Sequence, residues 1–290
     1  MKGMPLYTDP GSPPFDVIQY TPLYYWLAAG IGNLLGVEAL EPQQVYALGR
    51  ALGLVLNIGF VVTCFFLARY LRAPVWSAVL WSVALFALLP RQMYARPDAL
   101  YLLFFALAMW CFLRYVQHAG TPFGRRSLLL CSVLCCFAVL SKQTGVLPIG
   151  IVGAWLLLQR RWKDLAQHAV TCSVIGGLAI GGLCAAYGAT TLYENVVIGV
   201  RNGFSARLVR TIYLGGAHWA LILVQAAGIV LALRLWRGTV PERRALGLAV
   251  LITFAFGLLT SLKHGSSHTY YMENVLLASA LVAALAAGLP

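Results

Sequence analysis

The sequence predicts an all-α fold: a polytopic transmembrane helical bundle of about nine spanning helices, with one further helix lying along the outer membrane interface. Three observations predict it. The chain is 60% hydrophobic and only 10% charged, with a mean hydropathy of +0.79 over 290 residues, which no soluble domain with a polar surface could match. Apolar runs of membrane-spanning length recur along it, and the short connections between them are rich in arginine on alternate sides.

A helix needs about 20 apolar residues to cross the hydrocarbon core. The runs that qualify, or nearly do, are 47–68, 75–90, 99–117, 127–141, 145–159, 166–188, 215–235, 245–261 and 269–288. The third to fifth are short, which predicts tilt or buried polar ends. Orientation follows from the connections, because Lys and Arg accumulate on the cytoplasmic side. One alternation places Arg69, Arg72, Arg114, Arg125, Arg126, Arg160, Arg161, Lys163, Arg234, Arg237, Arg243 and Arg244 inside, with only Asp164 and Glu242 as acids. The aromatic-rich stretch from Tyr20 to Gly36 opens with Thr21-Pro22 and could be a tenth span. Counting it as one would move Arg69 and Arg72 outside, so it is predicted to lie in the outer interface, where Tyr24, Tyr25 and Trp26 keep one edge wet.

This divides the chain into residues 1–46, an external first-loop remnant with its juxtamembrane helix, and residues 47–290, the transmembrane domain. Placing residues 1–19 outside leads to the expectation of a further helix upstream of Met1. The final apolar run meets the end of the chain, so a piece of a longer protein is expected at both ends.

The net charge of +12 is not a nucleic-acid signature, because the basic residues stand singly or in pairs between apolar runs rather than in a stripe with aromatics. The cysteines, Cys64, Cys111, Cys131, Cys135, Cys136, Cys172 and Cys184, all fall inside apolar runs, where packing is expected rather than a bridge or metal. No nucleotide-binding loop is visible.

Ionisable residues at membrane depth are costly and mark functional sites. Here they converge on the outer side: Asp9 and Asp16; Arg91, Arg96 and Asp98; Lys142 and Gln143; Glu194, Asn195 and Arg201; and Lys263, His264, His268, Tyr270, Glu273 and Asn274. Asp98 follows Arg96-Pro97 at a helix start, so it either favours the positive helix end or faces a cavity and positions a substrate hydroxyl or amine. Lys142 either snorkels to water or binds a lipid phosphate. The loop 189–214 is either a membrane-hugging helix or a functional segment. His264 and His268 are four apart, but Gly265, Ser266 and Ser267 argue against the helix that would align them on zinc, so no metal ligands are assigned. A rim of hydrogen-bonding groups for sugar hydroxyls or a phosphate is preferred there.

The order of PPF-x4-YTPLYYWL at 13–27, ARPDAL at 95–100, LSKQTGVLP at 140–148 and HTYYMEN at 268–274 resembles bacterial membrane glycosyltransferases of the GT-C class. It is similar to the protein O-mannosyltransferase and lipid A aminoarabinose transferase group, over almost the whole chain. The resemblance implies a multi-pass enzyme of the bacterial plasma (inner) membrane with an outward-facing active site. Such an enzyme moves a sugar, with inversion, from a polyprenyl-phosphate donor to a lipid, glycan or protein acceptor. In that class an acidic residue of the first external loop, just after a first spanning helix, is the general base; Asp9 and Asp16 are the acids nearest that position. The external Asp opening a later helix matches Asp98. Lys142 and Gln143 become candidates for the carrier phosphate, and His268 to Asn274 for sugar or phosphate contacts. No redox cofactor is implied, and a divalent cation stays open. The competing reading is a transporter or lipid flippase, which would place polar residues near the midplane on paired repeats rather than at one boundary.

Overall fold

A computed structural model describes residues 6–11, 18–37, 41–88, 96–201, 203–209, 219–264 and 268–285. Among them the chain is helical, and the one extended feature is an isolated antiparallel bridge between Phe204 and Lys263. In chain order the main helices are α1 (Leu23–Leu34), α2 (Pro42–Tyr70), α3 (Val75–Leu88), α4 (Pro97–Gln117), α5 (Pro122–Ser141), α6 (Val146–Leu158), α7 (Trp162–Tyr187), α8 (Ala189–Tyr193), α9 (Trp219–Trp236), α10 (Pro241–Ser261) and α11 (Met272–Leu285). A 3-10 turn, Gln143–Gly145, leads into α6; a π turn, Glu194–Ile198, follows α8; and a 3-10 turn, His268–Tyr271, leads into α11.

The helix boundaries have local causes. Proline stands in the first turn of α2, α4, α5 and α10, where its missing N–H has no partner to lose and its fixed φ suits the helix. Thr121 caps α5, its Oγ1 accepting from the Gly124 N–H at 3.0 Å. The end of α7 falls where Gly188 takes a φ of +83°.

Each predicted apolar run coincides with a helix, α2 to α7 and α9 to α11, and five of these (α2, α4, α5, α7 and α10) are long and apolar enough to cross a membrane. The expected shortness of the third and fourth runs is corrected. Pro97 and Pro122 start α4 and α5 ahead of the apolar stretch, giving 21 and 20 residues and drawing Arg125 and Arg126 into the helix. Within the described residues α3, α6 and α11 run to 13 or 14 residues, or roughly 20 Å. With 12 residues, α1 extends only about 18 Å against a core of about 30 Å, too short to cross by itself. Helix α2 runs unbroken through positions 46 and 47, where the loop remnant was expected to end.

Helix α4 is the axis of the bundle: 72% of its apolar window is buried, against 6% for α7, whose bare side chains suit a lipid neighbour. Phe60 of α2, Leu128 of α5, Ile151 of α6, Val250 of α10 and Leu276 of α11 surround it, all fully buried. The pairing of α4 with α5 sends the start of α4 and the end of α5 to one pole. At the other pole Tyr70 bonds to Gln117, and Tyr115 to Asp164, among the arginines of the connections. Among the described residues the two sets of ionisable residues thus lie toward opposite ends of the bundle.

Helices α9 and α11 meet through small residues. A Cβ on Gly228 would fall 2.4 Å from Ala278 Cβ, so this approach requires glycine. Gly228→Ala should therefore destabilise the purified protein by about 1–3 kcal/mol, read as a lowered thermal midpoint in detergent, and adding Ala278→Gly should restore part of it. An unchanged midpoint for Gly228→Ala would mean that the helices do not touch here.

Candidate functional site

The site begins with a break in a helix. Helix α5 stops after Ser141 because Lys142 adopts an extended conformation, φ −158° and ψ 144°, and the chain then turns through Gln143–Gly145 into α6. The Gly145 N–H bonds the Lys142 carbonyl at 2.8 Å. Any Cβ at 145 would lie 2.2–2.3 Å from the Ala138 carbonyl, so the turn is tight enough to exclude a side chain. This geometry points Lys142 inward. Its Nζ donates to Asp98 Oδ1 at 2.7 Å, and both side chains are at most 5% exposed. Snorkelling to water is thereby excluded for Lys142.

Asp98 is presented by α4, whose extended Arg96 precedes Pro97 in the first turn. The carboxylate therefore sits at the positive end of the helix and next to an ammonium, and both stabilise its charge. Burial alone pulls the Lys142 ammonium down, but the Asp98 carboxylate, with smaller help from Tyr270 and Glu273, holds it above the usual lysine range. The Tyr270 and Tyr101 rings lie 4.5 and 5.9 Å from Nζ, within cation–π range. Glu273, 3% exposed, sits beside Tyr101 and Lys142, and its Oε2 has no hydrogen-bond partner among the described residues.

Above this pair a strap of the N-terminal segment is tied to the 189–205 region. Asn195, fully buried, accepts from the Ile18 N–H at 2.9 Å and donates to the carbonyls of Thr8 at 2.8 Å and Thr191 at 2.9 Å. Gln19 donates to the Gly199 carbonyl at 2.7 Å, and Gln143 to the carbonyls of Gln19 and Val196. Between strap and bundle lies a cavity of about 140 Å³ whose wall includes Gln19, Tyr20, Lys142, Gln143, Lys263 and Tyr270. That is close to the ~150 Å³ of an engineered cavity that holds benzene. Lys142 lines it, whereas Asp98 lies behind Lys142 and does not. Partial burial and then repulsion from Lys142 pull the Lys263 ammonium below its usual range.

Of the residues singled out by sequence, the structure brings together Asp98, Lys142, Gln143, Lys263, Tyr270 and Glu273. His264 joins the same wall, exposed, its N–H on the Gly203 carbonyl at 3.0 Å. Arg96 is half-buried near Tyr25. Glu194 contributes backbone to the π turn, and Arg201 is exposed beyond it. Asp9 is exposed and accepts from the Gly11 N–H at 2.8 Å. Asn274 turns away, its amide donating to the Val250 carbonyl at 2.8 Å and Thr253 Oγ1 at 3.0 Å, so it joins α11 to α10. Asp16 and the side chain of His268 lie outside the described residues. Among the described residues no group of three or more His, Cys, Asp or Glu side chains could hold a metal. Tyr101, Gln19 and Tyr20 were missed. Tyr101, three residues after Asp98, was legible from helical spacing, and Tyr20 opens the YTPLYYWL stretch, while Gln19 carried no such signal.

A protein-family model described as dolichyl-phosphate-mannose-protein mannosyltransferase matches residues 19–193. No curated protein matches the sequence. Among solved structures, ArnT from Cupriavidus metallidurans bound to undecaprenyl phosphate is similar with a TM-score of 0.62 and 16% identity, over 93% of this chain and 50% of that one. The Archaeoglobus fulgidus oligosaccharyltransferase in complex with Zn and sulfate is similar with a TM-score of 0.65 and 15% identity, over 99% and 43%. The AglB oligosaccharyltransferase of the same organism, in complex with an inhibitory peptide and a dolichol-phosphate, gives 0.66 and 13%, over 99% and 44%. At these identities the likeness is one of fold, and the chain spans half or less of the length of each solved protein.

Removing one member of a buried ion pair leaves the other charge uncompensated. Asp98→Ala and Lys142→Ala should each destabilise by about 3–5 kcal/mol, whereas Asp98→Leu with Lys142→Met should recover most of the loss. Thermal unfolding of the purified variants measures this; losses that simply add would show the two groups to be uncoupled.

Proposed function

The chain belongs to the dolichyl-phosphate-mannose-protein mannosyltransferase family, and from that premise we propose that it transfers a sugar from a polyprenyl-phosphate carrier to a lipid, glycan or protein acceptor. The reaction takes place in the Lys142 cavity, on the outer face of a bacterial plasma membrane. One observation carries the reading: two ammonium groups, Lys142 and Lys263, share the wall of a single small cavity beside buried aromatic rings. Lys142 keeps its pairing with Asp98, and the two ammonium groups together present hydrogen-bond donors to the cavity that suit the oxygens of an anion. The solved relatives support the choice of anion, since one is bound to undecaprenyl phosphate and another to a dolichol-phosphate.

In the reaction the acceptor hydroxyl loses its proton to a carboxylate, and its oxygen attacks the anomeric carbon opposite the phosphate. The bond from that carbon to the phosphate oxygen breaks, and polyprenyl phosphate leaves with the electron pair, so the configuration inverts. Negative charge grows on the departing phosphate, and Lys142 is the group aimed at it. Asp98 lies behind Lys142 and serves as a positioning residue that keeps the ammonium charged and pointed into the cavity. The acids of the first loop, Asp9 and Asp16, are the candidates for the base. Gln143 and Asn195 hold the strap that closes over the reactants, which excludes water and orients them.

Reconstituted protein given a polyprenyl-phosphate sugar and a mixture of membrane acceptors should release polyprenyl phosphate. Lys142→Ala should lower the turnover by about 10²–10³-fold, Lys142→Arg should retain part of it, and the more damaging of Asp9→Asn and Asp16→Asn identifies the base. Full turnover in Lys142→Ala, or movement of the intact donor across the bilayer without transfer, would sink the proposal.

A further inference from the structure

The opposite pole carries a second cavity, of about 90 Å³, formed where the ends of α2 and α4 meet the start of α10. Arg72 and Arg243 line it, together with Tyr70, Gln117 and Glu242, and the Tyr70 hydroxyl bonds to Gln117 to close one wall. Several arginines at this pole have protein partners. Arg114 lies over the rings of Trp110 and Phe123 at 5.3 and 4.7 Å. Arg161 pairs with Asp164 at 3.5 Å. Arg69 donates to the Ala73 carbonyl at 2.5 Å, and Arg244 lies 5.7 Å over Trp236. Arg72 and Arg243 make no ion pair among the described residues, although Glu242 lines the same cavity. Arg72 takes a φ of 70° as the left-handed residue that closes the C-terminal cap of α2, where the Ala73 N–H bonds the Ala68 carbonyl at 3.0 Å.

We propose that this cavity binds the phosphate of an anionic phospholipid, held between the Arg72 and Arg243 guanidinium groups. The charge balance of the lining is one carboxylate against two guanidinium groups, and the positive end of α10 adds to the excess. Guanidinium is the side-chain group best matched to phosphate oxygens. The volume equals about three liquid-water volumes of ~30 Å³ each, which gives room for a phosphate head. Glu242 leaves an acceptor for a headgroup hydroxyl, which favours a phosphoglycerol. The source is a lipid because the cavity lies at helix ends on the arginine-rich pole, the level at which basic pockets between transmembrane helices meet headgroups. This inference does not depend on sugar transfer at the other pole.

The test is a titration of the full chain, in neutral detergent, with short-chain phosphatidylglycerol, phosphatidylcholine and inorganic phosphate in separate arms, followed by tryptophan fluorescence and thermal midpoint. Phosphatidylglycerol should saturate a site and raise the midpoint, phosphatidylcholine should not, and Arg72→Ala with Arg243→Ala should weaken binding about thirtyfold. Arg125→Ala with Arg126→Ala, which changes the same net charge elsewhere on this pole, should leave it unchanged. Thermal unfolding without lipid checks that both double variants are folded. Equal weakening by the two double variants would reduce the effect to overall charge and overturn the site. Saturation by inorganic phosphate as tight as by phosphatidylglycerol would overturn the assignment to lipid.

Discussion

An ammonium that is only 4% exposed at the end of an apolar helix must be neutralised where it sits, because moving an unpaired charge out of water costs several kcal/mol even after relaxation. Asp98, 2.7 Å away on the neighbouring helix, supplies that neutralisation. The pair ties the first turn of α4 to the break after α5 and so sets the relative height of the bundle's two most intimately packed helices. It also decides what the pole can do, since a paired and buried lysine keeps its charge, and a charged lysine lining a small cavity selects an anion.

The two poles solve the problem of polar groups in an apolar fold in different ways. At the Lys142 pole the chain folds over itself, and amides carry the strap: Asn195 and Gln143 satisfy five backbone groups between them. Buried amides suit this work because each has donors and an acceptor and carries no charge to neutralise. At the arginine pole the charged groups stack on rings or bond to carbonyls close to helix ends, where their heads stay near water. Helix α4, about 31 Å from end to end, keeps the two kinds of chemistry apart.

Hydropathy made the helices legible but not their ends. The apolar run placed the start of α5 at 127, whereas Pro122 and the Thr121 cap open it earlier, because a helix start is governed by capping and backbone geometry rather than by apolarity. Within the site, Asp98 and Lys142 stood out because charge is rare in such a sequence. Gln19 did not, since an amide in a polar loop looks like any other until the strap is folded. Asn274 misled for a related reason: its polarity and its neighbours suggested the site, yet its position on α11 turns the amide into the packing against α10.

What the sequence determined by itself was the medium, the helical class and the segregation of charge, because composition and the spacing of basic residues act through solvation and need no partner to be read. Tertiary structure alone decided that Lys142 faces Asp98 rather than water, that Lys263 shares its cavity, and that Arg72 and Arg243 line one cavity at the other pole. Those outcomes depend on which helix ends meet and in which direction each side chain points. Both are set by close packing between segments far apart in the chain, such as Gly228 against Ala278, and no local pattern of residues encodes them.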